Sequence, residues 1–246
     1  MHKHQPIPLD TIFSDAWKNV KGSKRSFFFT FFTLVVSQLL IYIAIALFEH
    51  GARSWQGDLL EFVLQSLLTA PLLAGLCMLG VNRFRNPPLH FFAGFKYYRM
   101  LPRIIAAFLM GSIFLWVLAL LVAACIVLLV IAFHMQISLQ YTSPRTFIAF
   151  TLITVLFYGV YKSFLLFNYI LVAEKKANPF IAWWKSCKIA WPHFGKIFLA
   201  LIYLFVLNLL GMCLLGIGLL WTVPFSYLVI GRIYLFCENE KNSTAE

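Results

Sequence analysis

The sequence predicts an all-α integral membrane protein. Six transmembrane helices form three hairpins, each preceded by an interfacial amphipathic helix on the cytoplasmic side. Three observations predict this. The 246-residue chain is 61% hydrophobic and only 12% charged, whereas soluble domains carry about 25% charged residues. Its apolar residues fall in runs long enough to cross a bilayer, about 20 residues at helical rise. Its basic residues gather in alternate segments between those runs. Together these exclude a soluble enzyme, a disordered chain and a disulfide-stapled module.

The elements follow in order. Leu9, Ile12, Phe13, Ala16, Trp17 and Val20 recur at helical spacing and mark a first leader helix. The first span is residues 27–48. Ala44-Ile45-Ala46 inside it looks like a signal-cleavage site, but the apolar run is too long for a secretory signal and continues past it, so the span is retained. The second span, 59–81, is interrupted by Pro71. A second leader covers Pro88 to Lys96, and the third span, 104–133, is long enough to tilt. The fourth span, 147–172, carries Lys162 within it. Asn178-Pro179 supplies an N-cap and first-turn proline for a third leader. Phe180, Trp184, Cys187 and Trp191 share one face of that leader. Lys196 to Phe236 holds one charge after its first position, Arg232. That stretch divides into spans 196–215 and 217–236 at Gly216-Ile217-Gly218. Residues 1–236 thus form a single membrane domain, and 237–246 a short polar cytoplasmic tail expected to be disordered.

The basic residues fix the orientation. Lys3, Lys18, Lys21, Lys24 and Arg25 precede the first span. Arg83, Arg85, Lys96, Arg99 and Arg103 lie between the second and third. Lys175, Lys176, Lys185, Lys188 and Lys196 lie between the fourth and fifth, and Arg232 and Lys241 close the chain. The alternate loops hold only Arg53 and Arg145. This asymmetry places both termini in the cytoplasm. It also assigns the net charge of +11 to an anionic leaflet rather than to nucleic acid.

The three leaders look alike. Lys18, Lys96 and Lys188 each follow an aromatic or apolar residue, and each stands nine residues before an apolar start, at Phe27, Ile105 and Ile197. Thr69-Ala70-Pro71 in the second span is echoed by Thr222-Val223-Pro224 in the sixth. Such a threefold pattern indicates three repeated units. The leaders are expected to lie in the interface, with aromatics toward acyl chains and lysines toward phosphates. Trp17, Lys18, Phe95, Lys96, Trp184 and Lys188 are the candidate lipid contacts. They either anchor the hairpins or sense and remodel lipid.

Several of these residues also carry a resemblance. Pro71-Leu-Leu-Ala-Gly75, Arg83, Pro87 and Phe92-Ala-Gly-Phe95-Lys96 are similar to a bacterial family of six-span membrane proteins. So are Val172-Ala-Glu174, Pro179, Ser186, Gly216-Ile-Gly218, Pro224 and Tyr227. The family includes the membrane domain fused to some glycerophosphodiester phosphodiesterases and stand-alone relatives of the YciC type. The resemblance spans nearly the whole chain and implies an inner-membrane protein. It implies no established activity, and the soluble phosphodiesterase barrel has no counterpart here.

The chemistry-bearing residues are few. The nine acidic residues include no mid-span pair for an ion relay. Glu61 sits just inside the second span, where it is expected to be hydrated. The six histidines show no helical metal-binding spacing, and His2 and His4 fall in an N-terminal tail. The five cysteines form no Cys-x-x-Cys pair and are expected to be free thiols. No phosphate loop, dinucleotide fingerprint or nucleophile elbow appears, and no cofactor is expected. The best intramembrane candidate is Lys162, about 15 Å from the inner end of its span, with Gln38 and Asn208 at similar depth. Lys162 either snorkels toward the surface or joins Gln38 and Asn208 around a polar cavity for an anionic headgroup or substrate. Pro71 and Pro224 are expected to kink their helices. Gly211 and Gly216 permit contacts with a second copy or another membrane protein.

The expected function is therefore non-enzymatic. The protein would bind or organise anionic lipid at the cytoplasmic leaflet, or support membrane homeostasis. The alternative is a small permease or transport-complex subunit using the Lys162 region. The parallel threefold repeat argues against the inverted repeats common in alternating access. An intramembrane enzyme ranks third, for want of paired catalytic groups.

Overall fold

A computed structural model describes residues 7–49, 55–85, 88–132, 157–213 and 216–243. His2, His4, Arg53, Arg145 and the start of the expected fourth span lie outside them. Every regular element among the described residues is helical: α1 (Leu9–Val20), α2 (Lys24–Glu49), α3 (Trp55–Leu64) and, after a π-helical segment Gln65–Thr69, α4 (Ala70–Arg85). A 3₁₀ segment, Ala93–Met100, leads into α5 (Leu101–Ala132). Then come α6 (Phe157–Ala173), α7 (Pro179–Ala190), the 3₁₀ turn Trp191–His193, α8 (Phe194–Cys213) and α9 (Leu219–Ser243).

Among the described residues, five helical stretches are long and apolar enough to cross a membrane: Lys24–Leu47, Trp55–Arg85, Ala93–Leu121, Pro179–Cys213 and Leu219–Glu240. The chain is thus built as a multi-pass membrane protein. Of the expected fourth span, residues 147–172, the described part lies in α6, from Phe157 onward.

Helix α4 is the centre of the bundle. Nearly every side chain from Ala70 to Val81 is buried, against α9, α2, α5, α6 and the 3₁₀ segment. Two glycine pairs explain how closely the backbones approach. A Cβ on Gly80 would overlap the Tyr227 carbonyl, and one on Gly231 would overlap the Gly80 backbone. Likewise Gly75 meets the Gly94 carbonyl, and Gly94 in turn meets the Thr30 side chain. Helices in lipid associate through such small-residue contacts, because burial of apolar surface gives them no water-driven gain.

The three leaders diverge from their common expectation. In α1, Ile12, Ala16 and Val20 are buried against α9. Phe13 stacks on Tyr203 at 4.9 Å, and Trp17 meets Phe225 edge-on at 5.9 Å while staying 60% exposed. The apolar face of the first leader therefore packs on protein rather than on acyl chains, and Asp15 ties it to Arg232 at 3.0 Å. The second leader is not an amphipathic α-helix. Its residues from Ala93 onward form a 3₁₀ segment, because Gly94 is pressed between Thr30 and Gly75 and the chain must turn tightly there. Phe91, Phe92 and Phe95 instead gather around Phe29, with ring centroids 4.5, 5.3 and 5.6 Å away.

The third leader, α7, has the expected form. Pro179 takes the first turn and Asn178 the cap position, although the Asn178 side chain makes no capping hydrogen bond. Pro179, Ala182, Ser186 and Ala190 face inward, and Phe180, Trp184 and Trp191 are exposed. Ser186 has a structural task. Its hydroxyl donates to the Phe164 carbonyl at 2.7 Å and accepts the Phe167 N–H at 3.2 Å. These bonds serve the backbone groups freed where α6 breaks, at Leu166-Phe167.

The tail also differs from expectation. Helix α9 runs on to Ser243, so residues 237–243 are helical rather than disordered. Gly211 packs on Gly218 and Thr222 within its own hairpin, and Gly216, at φ +75°, makes the turn.

Candidate functional site

Lys162, Gln38 and Asn208 line one cavity of about 890 Å³. The sequence placed them at similar depth on three different spans, and the fold brings them to the same space. Helix α6 supplies Lys162, α2 supplies Gln38 and α8 supplies Asn208. The remaining wall comes from α3, α4, α5, α9 and the π-helical segment.

Lys162 is half-buried, and it is the one charged side chain among the described residues that line the cavity. Its Nζ lies 5.2 Å from the centroid of the Tyr158 ring, one helical turn away. A cation over an aromatic face gains only about 0.5–2 kcal/mol. That is less than an isolated lysine costs at the centre of a membrane, about 2.5–3.5 kcal/mol or more.

The neutral polar groups are mostly spent on the backbone. Tyr161 donates to the Gly111 carbonyl at 3.0 Å, and Asn168 to the Ala107 carbonyl at 3.2 Å. Asn208 Nδ2 donates to the Leu204 carbonyl and to Ser226 Oγ, both at 2.7 Å. The Ser226 hydroxyl donates in turn to the Thr222 carbonyl at 2.7 Å. These bonds tie α5 to α6 and α8 to α9 along the cavity wall. Asn168 Oδ1 and Asn208 Oδ1 remain buried without a donor.

The π-helical segment forms part of this wall through Gln65 and Thr69. It ends two residues before Pro71, which has no N–H for the helical ladder. Thr69 donates to the Gln65 carbonyl at 2.7 Å, and Tyr98 donates to the Leu68 carbonyl at 2.8 Å. Expanded turns of this kind recur at functional sites. Gln65 also donates to Glu61 Oε1 at 2.9 Å.

The candidate lipid contacts are scattered. Trp17, Lys18, Lys96, Trp184 and Lys188 are exposed, and Phe95 is half-buried. Phe95 stacks on Tyr98 at 6.2 Å, so it belongs to the aromatic cluster of the second leader.

Sequence reasoning missed an ionic cluster at the end of the bundle where α4, α6 and α9 finish. The Glu174 side chain is only 7% exposed and pairs with Arg85 and with Lys176, the latter at 2.7 Å. It also accepts a hydrogen bond from Tyr234 at 2.7 Å. Glu238 bridges the same Arg85 and Lys176 from α9. His193 and Glu240 pair nearby at 2.8 Å. Burial alone would raise the Glu174 carboxyl, but the Lys176 and Tyr234 hydrogen bonds and the Arg85 charge outweigh it and hold it below its ordinary value. Burial would lower Lys176, but its bonds to Glu174 and Glu238 hold it above its ordinary value.

Among the described residues, no group of three His, Cys, Asp or Glu side chains comes together to hold a metal ion. Cys77, Cys187, Cys213 and Cys237 are free thiols. Comparison with family models, curated proteins and solved structures finds no match to this chain.

Proposed function

We propose that this is a non-enzymatic, multi-pass bacterial inner-membrane protein that binds and organises anionic lipid, with both termini in the cytoplasm. Lys162 holds the headgroup phosphate within the bundle. The exposed Trp184 and Lys188 of α7 lie along the cytoplasmic leaflet. One observation carries the reading: a lysine lines a large cavity inside the spanning region, and no carboxylate among the described lining residues offsets its charge. A bound phosphate supplies the missing counter-charge.

Native mass spectrometry of the protein, extracted gently from its own membrane, tests this. Wild type and Trp184→Ala are expected to retain an anionic lipid, and Lys162→Met to lose it. Equal retention by wild type and Lys162→Met would sink the headgroup site.

A second reading, a small permease or transport-complex subunit for an anionic solute, draws on the same cavity. The π-helical segment beside Pro71 favours it, since that turn offers the wall a place to flex. Anion-dependent protection of a cysteine placed at Ser112, which lines the same cavity as Lys162, in protein free of lipid, would support the permease over the lipid reading.

A further inference from the structure

We propose that the cavity is half of a longer track, along which an anionic phospholipid moves its headgroup between the two leaflets. The proposal rests on the reading of Lys162 as a phosphate seat and adds an activity to it.

A second cavity, of about 650 Å³, adjoins the first and contains Glu61. Gln38 lines both cavities. Gln65 lines the first and donates a hydrogen bond to Glu61 in the second. Along α2 the first cavity begins at Phe31 and the second ends at Ile45. The fourteen residue steps between them span roughly 21 Å at helical rise, against a hydrocarbon core of about 30 Å. Polar side chains therefore line the route in sequence: Lys162 and Gln38 at similar depth in the first cavity, then Gln65 at its edge, then Glu61 in the second.

The occupant follows from charge and openness. The only charged group on the first cavity among the described residues is a cation, which selects a phosphate. Val35, Leu39 and Tyr42, on the wall of the second cavity, are 46%, 58% and 75% exposed. That cavity is thus a groove open along the flank of the bundle. Acyl chains can stay in the bilayer while the head follows the polar wall. The barrier to unaided crossing is desolvation of the head. Amide groups along the route replace part of its water. Glu61 repels the phosphate at the far end and favours its release.

The test uses the full chain, reconstituted in vesicles of phosphatidylethanolamine and phosphatidylglycerol with a trace of fluorescent phosphatidylglycerol. Dithionite bleaches only probe that reaches the outer leaflet. Wild type is expected to bleach nearly all the probe, and protein-free vesicles only the outer half. Gln38→Leu and Gln65→Leu are each expected to slow bleaching about tenfold, equivalent to roughly 1.4 kcal/mol of barrier. Leu40→Ala, on the exposed face of α2, is expected to bleach as wild type does. Size-exclusion profiles and helical circular dichroism establish that each variant is folded. If wild type stops at the outer half while its anionic lipid is still lost in Lys162→Met, translocation is overturned and the headgroup site stands. If Lys162→Met keeps the lipid, the headgroup site itself fails. Uptake of free phosphate without bleaching would assign the track to a soluble anion and overturn the proposal.

Discussion

Glu174→Ala is expected to loosen the end of the bundle by an amount the ionic cluster sets. The carboxylate is 7% exposed and serves three partners, Arg85, Lys176 and Tyr234. Breaking a fully buried ion pair costs about 3–5 kcal/mol. Here Arg85 and Lys176 are 34% and 40% exposed, so both rehydrate, and Glu238 still holds both. The expected loss therefore falls to about 2 kcal/mol, between an exposed pair and a buried one. Equilibrium unfolding in mixed micelles with increasing dodecyl sulfate measures it. The pH dependence gives an independent check. Glu174 is held below its ordinary value of 4.5, so its contribution is fully present above that pH. It is lost as the pH falls through the depressed folded value. Lys176 is held above 10.5; its contribution is present below that pH and lost as the pH rises through the raised folded value. Wild type should weaken outside that window, and Glu174→Ala should lose most of the acid limb. A loss under about 0.5 kcal/mol, or an unchanged acid limb, would show that Glu174 does not organise this end.

Three further outcomes follow from the packing. Gly80→Ala would press a methyl into the Tyr227 carbonyl, and overpacking at such a contact costs about 1–3 kcal/mol, read by the same unfolding assay. Ser186→Ala leaves the buried Phe167 N–H without its acceptor and is expected to cost about 1–3 kcal/mol; faster amide exchange at Phe167 would localise the loss. Trp184→Ala removes a side chain that is 60% exposed. It should leave stability within about 0.5 kcal/mol while reducing the share of total tryptophan emission that brominated lipid quenches.

Much of the fold was legible because hydrophobic length is a local property. Spans over 27–48, 59–81 and 217–236 are carried by α2, α3 with α4, and α9. Lys162 stood out for the same reason, as a charge inside an apolar run. Partner choice was not legible. The apolar stripe of α1 reads the same whether it meets acyl chains or Phe225, and only the tertiary fold brings Phe225 to it. The 3₁₀ form of the second leader depends on Gly94 meeting Thr30 and Gly75, contacts 64 and 19 residues away. Glu174 and Arg85 are 89 residues apart, so no spacing rule joins them. The helical end of α9 was hidden by composition: Glu238 and Glu240 read as a solvated tail until Arg85, Lys176 and His193 are placed beside them.

Lys162→Met separates a functional lysine from a structural one. If Lys162 held the bundle together, removing it would destabilise the protein. Its cation–π contact with the Tyr158 ring at 5.2 Å is worth about 0.5–2 kcal/mol. The charge itself costs about 2.5–3.5 kcal/mol at the centre of a membrane, partly relieved here by the cavity. Methionine has similar length and no charge, so the variant is expected to be more stable by about 1 kcal/mol in lipid-free micelles. Added anionic lipid should then narrow the gap, because it stabilises only the protein that binds it. Stability gained at the expense of binding is the signature of a residue retained for function. A Lys162→Met protein less stable than wild type, with or without lipid, would make the lysine a packing element and remove the physical basis for a phosphate seat.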